Sequence, residues 1–345
     1  MAAPEIRYAL DPSDEHNHSA GDIDNFNESM YFNAFDSDGR CGSWFRMGNR
    51  INEGFAELSV CIYLPDGRVG FNFKRPRIDT NERFDAGGMK IEIVEPLVRQ
   101  RVTYEGKICL LDRPHEMADP KRAFTENPMV DCAVDVMFTG ISPIHGGRPV
   151  DAEGNDVDTG SDFAKAHYEQ LSSAVGTITV GDETFNINGF GVRDKSWGPR
   201  FWQSVYWYRW LPMVFGPDFG MTPSYIGSPN GRTHHSGWVF DGGEVHEITE
   251  CTVKSEYDAD HYQTHLTTTV KTDKRSYDIE GTVRSLIPLR NRRATPDGDE
   301  LLTRITEGMT EFRYGDRVGF GLSEYLDQIV DEIPVGYPVD AQNPQ

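Results

Sequence analysis

Residues 177–199 read Thr-Ile-Thr-Val-Gly-Asp-Glu-Thr-Phe-Asn-Ile-Asn-Gly-Phe-Gly-Val-Arg-Asp-Lys-Ser-Trp-Gly-Pro. Two β-type halves flank Gly181-Asp182, residues that supply the positive φ of a tight hairpin turn. The second half runs on into Arg200-Phe-Trp-Gln-Ser-Val-Tyr-Trp-Tyr-Arg-Trp210. In a strand, side chains alternate faces, so Arg193, Lys195 and Trp197 share one side while Val192, Asp194 and Ser196 share the other. Trp197, Trp202, Trp207 and Trp210 stand here among Arg193, Asp194, Lys195, Arg200 and Arg209. Buried ions must be paired or change protonation, so this mixture marks a site, a domain seam, or an aromatic core with a structural ion pair.

Working outward, the pattern repeats. Pro65-Asp66-Gly67-Arg68 separates the apolar or alternating runs 55–64 and 69–73, which predicts another hairpin. Further strands are expected at 43–47, 89–95, 98–104, 107–111 and 130–138, then at 221–226, 235–240, 244–254, 263–271, 276–287, 301–312 and 318–325. Short strands with turn chemistry between them, at spacings of about 8–15 residues, predict a mainly β chain built as barrels or sandwiches. The Pro-, Gly- and Asp-rich segment 143–162 reads as a surface loop. Residues 161–176 follow helical spacing through Phe163, Ala166, His167, Gln170, Leu171 and Val175, with Ser161 as N-cap and Gly176 as stop, which predicts a short helix. Residues 1–28 read as a loosely held polar arm, and the acidic, Pro-containing tail from Asp327 as frayed.

The 345 residues allow two domains or one large one, and the formal charge is −21. That charge argues against nucleic acid, which demands a basic face, and weakly against highly anionic substrates. The five cysteines are widely spaced, odd in number and without a Cys-x-x-Cys pair, so they read as buried thiols of a reducing compartment. No run has the roughly 20 apolar residues of a membrane span, and the start of the chain lacks a leader pattern. A soluble, cytoplasmic protein is expected.

Familiar catalytic signatures fail. Gly189-Phe-Gly191 begins like a dinucleotide loop, but Asp194 stands where the third glycine belongs. No nucleophile elbow, phosphate-cradling loop or zinc-peptidase helix occurs, and the doublet His234-His235 has turn chemistry before it and no third ligand, so no metal is expected. Asp194, set among aromatics, is a candidate proton donor, or an ionised structural partner of Arg193 or Arg209. His167 and Glu169 form a candidate acid–base pair or a half-buried histidine beside a solvated carboxylate. Glu324 lies in a glycine-punctuated last strand and either faces a barrel interior or lies exposed.

The run Gly189-Phe-Gly-Val-Arg-Asp194-Lys-Ser-Trp197-Gly-Pro-Arg, with Tyr206-Trp-Tyr-Arg-Trp210 after it, resembles the Asp-His-x-Trp-Gly signature of the carotenoid hydratase (hydroxyneurosporene synthase) superfamily, and in particular its bacterial members of undefined function. His167-Tyr-Glu-Gln170, Glu307-Gly-Met-Thr310 and Gly319-Phe-Gly-Leu-Ser-Glu324 extend the resemblance over about residues 30–330. It implies two lipocalin-like antiparallel β domains with a ligand cavity near their junction. The expected divisions are an arm (1–28), domains over 29–200 and 201–330, and a tail (331–345).

Relatives include hydratases of isoprenoid double bonds and pericyclases. Asp194 and Trp197 carry over, but Lys195 replaces the signature histidine. A charged lysine at a cavity opposes a carbocation and suits chemistry that builds negative charge. The expectation is a cofactor-independent hydratase, dehydratase or isomerase of a hydrophobic terpenoid- or steroid-like unsaturated molecule. Asp194 would act as general acid, Lys195 and Arg209 would orient an oxygen, and His167 or Glu169 would relay protons. Trp197, Trp207 and Tyr208 would line the cavity, with Arg193 and Glu324 also at the ligand. A non-catalytic carrier of an apolar ligand and a pericyclase are the alternatives.

Overall fold

The computed structural model describes residues 6–158, 163–294 and 300–337. The chain is mainly β and forms two large antiparallel sheets of lipocalin-like, barrel and sandwich character. The first runs from strand Arg7–Ala9 to strand Glu183–Pro199, and the second from strand Trp207–Trp210 to strand Ile333–Pro334. Both sequence-read hairpins are present: Phe55–Tyr63 pairs with Val69–Lys74, and Ala166–Val180 with Glu183–Pro199. Their turn glycines, Gly67 and Gly181, have φ of +90° and +58°.

Eight strands of the first sheet close on themselves. In pairing order they are Ala166–Val180, Glu183–Pro199, Phe26–Asp36, Gly42–Arg50, Phe55–Tyr63, Val69–Lys74, Arg99–Leu111 and Met129–Gly140, the last returning to the first. Closure removes the sheet edges, and one side-chain parity of each strand then points inward. The interior is packed by Met30, Phe32, Phe45, Leu58, Val102 and Phe138, among others. It is a filled core. The opposite parity, including Tyr31, Trp44, Cys61 and Phe71, packs against Ile287, Met309 and Leu322 of the second sheet.

Four local expectations are corrected. Residues 166–176 form no helix but the start of the long strand Ala166–Val180; Ser161 lies outside the described residues. Part of the expected loop 143–162 is strand His145–Val150, paired with Ala166–Val180 and with Arg7–Ala9. The N-terminal arm is held, because Asp14, Glu15 and Glu28 are buried among cations of the first sheet. Strand Phe26–Asp36 begins inside the arm as read from sequence, and strand Arg317–Val330 runs into the expected tail. All five cysteines are free and buried. Among the described residues, no helix is long and apolar enough to cross a membrane.

Candidate active site

Strand Glu183–Pro199 divides the charges of its motif by alternation, as its sequence predicts. Arg193, Lys195 and Trp197 point into the barrel, where the arm meets them. The Glu15 carboxylate accepts from Arg193 Nη1 at 2.9 and 3.0 Å, and Lys195 Nζ donates to Glu28 Oε1 at 2.5 Å and to the His16 carbonyl at 2.9 Å. Trp197 stacks on His18 with ring centroids 4.0 Å apart. Position 195 therefore faces away from the second sheet whatever residue fills it.

The other parity lines a cavity of about 670 Å³ between the two sheets. Its floor is a set of in-register rows across paired strands. One row is His167–Ser196–Ser29–Gly48–Glu57, and the next is Glu169–Asp194–Tyr31–Arg46–Ser59–Phe73. A third, Trp44–Cys61–Phe71, is apolar. Small serines leave room, and polarity falls from one end of the cavity to the other. The second sheet contributes Tyr208, Trp210, Leu289, Glu307 and Glu324, and helix Pro120–Glu126 contributes Phe124.

Of the candidates named from sequence, His167, Glu169, Asp194, Tyr208 and Glu324 meet at this cavity. Arg193, Lys195, Trp197, Trp207 and Arg209 lie elsewhere. Arg209 pairs with Asp327 at 3.1 Å and covers the Tyr325 ring, while Trp207 packs edge-on against Tyr225.

Asp194 Oδ2 and His167 Nε2 form a close hydrogen-bonded ion pair, with Glu169 Oε1 at 3.8 Å from the same nitrogen. The histidine thus reaches Asp194 from the neighbouring strand and not from the position beside it. Burial works against a charged imidazole, but the Asp194 charge and hydrogen bond, with Glu169 behind, raise the His167 pKa to about 9. The accessible side of the ring opens to the cavity. Glu169 accepts from Trp210 Nε1 (3.0 Å), Thr222 Oγ1 (2.5 Å) and Trp238 Nε1 (3.0 Å), all from beyond residue 200. It ties the two sheets together as a fully bonded anion.

Across the cavity, Glu307 and Glu324 stand opposite each other on paired strands Glu300–Tyr314 and Arg317–Val330. Burial, followed by the charge of Glu324, raises the Glu307 pKa well above the usual carboxyl range. Burial and the Asp194 charge raise Glu324 to about 7 against the opposing hydrogen bond from Tyr208. Tyr208 donates its hydroxyl to Glu324 Oε1. Two carboxyls so placed cannot both ionise readily, and the pair holds a proton at neutral pH. Glu307 was missed as a site residue, since only strand register brings it to Glu324. Arg46, also at the cavity, carried no motif signal beyond its charge, and Arg200 stood among the ions of the motif without a role assigned to it.

His167, Glu169 and Asp194 each offer a ligand atom within 4.8 Å of one another, a span that a cation can bridge. Their oxygens are engaged by the three donors on Glu169 and by His167 on Asp194.

The architecture recurs in solved structures. A protein assigned as AttH (NE1406) from Nitrosomonas europaea superposes with a TM-score of 0.60 at 15% identity, covering 94% of this chain and 98% of that one. Kievitone hydratase from Nectria haematococca superposes with a TM-score of 0.51 at 11% identity, covering 87% and 89%. At these identities the likeness establishes the fold. Among curated proteins, sequence comparison finds no match. The family model described as "Domain of unknown function (DUF7064)" matches residues 11–329, and the chain belongs to that family.

Proposed function

We propose that the protein is a cofactor-independent acid–base enzyme that adds water to, removes water from, or isomerises a hydrophobic unsaturated small molecule. The carrying observation is that an ion pair, Asp194–His167, and a proton-holding carboxyl pair, Glu307–Glu324, face one aromatic-lined cavity. General catalysis needs one group that gives a proton and another that takes one, with pKa values near the working pH. In this reading, the His167 imidazolium, held charged by Asp194, delivers a proton to one alkene carbon while the oxygen of water bonds to the other. The ionised member of the Glu307–Glu324 pair accepts the proton released by that water, so the net change is addition of H and OH across the double bond. Elimination runs the same steps in reverse. The acid thus moves from Asp194 to His167, because Asp194 is already matched to an imidazolium.

The structural likeness to a protein named as a hydratase is consistent with this class of activity. Cavity volume also suits the reading, since pockets of a few hundred Å³ take drug-sized apolar ligands. The test is incubation of wild type and Asp194→Asn with a panel of unsaturated terpenoids and steroids in D₂O, read by mass spectrometry. Wild type should add water or incorporate deuterium and the variant should lose about 10²–10⁴-fold in rate. Equal turnover by both proteins contradicts the proposed chemistry.

A further inference from the structure

Arg200 leaves the end of strand Glu183–Pro199 and enters the cavity. Its Nη2 donates to Ser196 Oγ at 2.7 Å, while its Nε is buried without a partner. The guanidinium lies 4.0 Å from the Phe163 ring centroid and 5.4 Å from that of Trp202. Among the described residues, no carboxylate forms a salt bridge with it. Arg46 lies 5.5 Å from the same Trp202 ring; it meets Glu57 at 3.5 Å through Nη1 and leaves Nη2 buried without a partner. Two guanidiniums therefore converge on one indole with donors to spare. Burial, then repulsion by Arg46, lowers the Arg200 pKa to about 10. Arg200 is half-buried and feels the Asp194 charge without a salt bridge to it, so its unspent buried donor favours an anionic partner, and the planar guanidinium fork matches a carboxylate.

We infer that the ligand carries one carboxylate on an apolar unsaturated body, and that Arg200, assisted by Arg46, binds that carboxylate beside Asp194. The inference deepens the acid–base reading and rests on it for the unsaturation alone. Ser196, which anchors Arg200, is two residues from Asp194 on the same strand face, about 7 Å away. A carboxylate at Arg200 thus brings carbons a few bonds removed to Asp194, while the rest of the ligand extends toward Trp44, Phe71 and Phe124. In an α,β-unsaturated acid, the guanidiniums would also stabilise the negative charge that builds on the carboxylate when hydroxide adds to the β-carbon and a proton joins the α-carbon. The formal charge of −21 provides no long-range attraction for anions, so recognition must be local, by a single matched group.

Retinoic acid and its uncharged methyl ester serve as probes, with binding read by quenching of tryptophan fluorescence. Wild type should bind the acid at least about tenfold more tightly than the ester, the scale of a charge-assisted hydrogen bond. Arg200→Met should erase that preference while keeping its ester affinity, which also reports an intact cavity, and Arg200→Lys should restore part of it. Equal binding of acid and ester by wild type, or full preference in Arg200→Met, overturns the inference. Asp194→Asn should keep the preference, so a failure of the proposed chemistry and a failure of the carboxylate site give different results.

Discussion

Asp194 and Lys195 are neighbours in sequence and lie on opposite faces of one strand. Facing into the barrel, Lys195 and Arg193 each meet a buried carboxylate of the arm, and the charges balance, although Arg193 Nη2 is buried without a hydrogen-bond partner. On the outer face, Asp194, His167, Arg200 and the Glu307–Glu324 pair surround open space with donors unspent and protons displaced from their ordinary pKa values. Matched charge marks a face that holds the fold, and unmatched charge beside a cavity marks a face that meets a ligand. A lipocalin-like barrel usually suggests a ligand inside the barrel. Here the barrel is filled, and the cavity lies against its outside.

The largest expected effect on the cavity face is the loss of turnover in Asp194→Asn, with the melting temperature nearly unchanged. On the inner face, Arg193→Met leaves Glu15 buried without its cation and should cost about 3–5 kcal/mol of stability in denaturant unfolding. A small loss there would mean that the arm is not held by this pair.

A subtler effect sharpens the difference through pH. Glu307 and Glu324 bind protons more tightly when folded than at the ordinary carboxyl value of 4.5. Their contribution to stability is therefore complete below that value and is lost as pH rises through about 7, the folded value of Glu324. Glu324→Gln should flatten this decline and make the protein relatively more stable above pH 7, as read by urea unfolding on both sides of the window. An unchanged slope would show that the pair does not hold the proton assigned to it.

Much of the fold was legible because turn chemistry and alternation are local. Gly67 and Gly181 announced their hairpins, and period two placed Asp194 and Lys195 on different faces before any partner was known. The misread segment was Ala166–Val180. Its helical spacing came from mixing the two faces of a strand: His167, Leu171 and the exposed Val175 share one parity, with His167 and Glu169 at the cavity, while Ala166 and Gln170 share the other, where Tyr168 and Gln170 face Arg193. Gly176 looked like a helix stop. It is instead a point of close approach, where a Cβ would come 2.0 Å from the Asp135 carbonyl oxygen. Register across strands was not legible, and that is what makes Glu307 and Glu324 a pair and brings Arg46 into the row of Asp194. The replacement of the signature histidine by Lys195 looked like a change of chemistry, but it falls on the inward face.

The most direct measurement sets Asp194→Asn beside Lys195→Met, comparing D₂O turnover per folded molecule with the melting temperature of each. The account predicts that Asp194→Asn melts like wild type and loses turnover, whereas Lys195→Met melts lower and turns over normally while folded. The reverse pattern, with turnover lost at Lys195 and kept at Asp194, would contradict the division between the two faces.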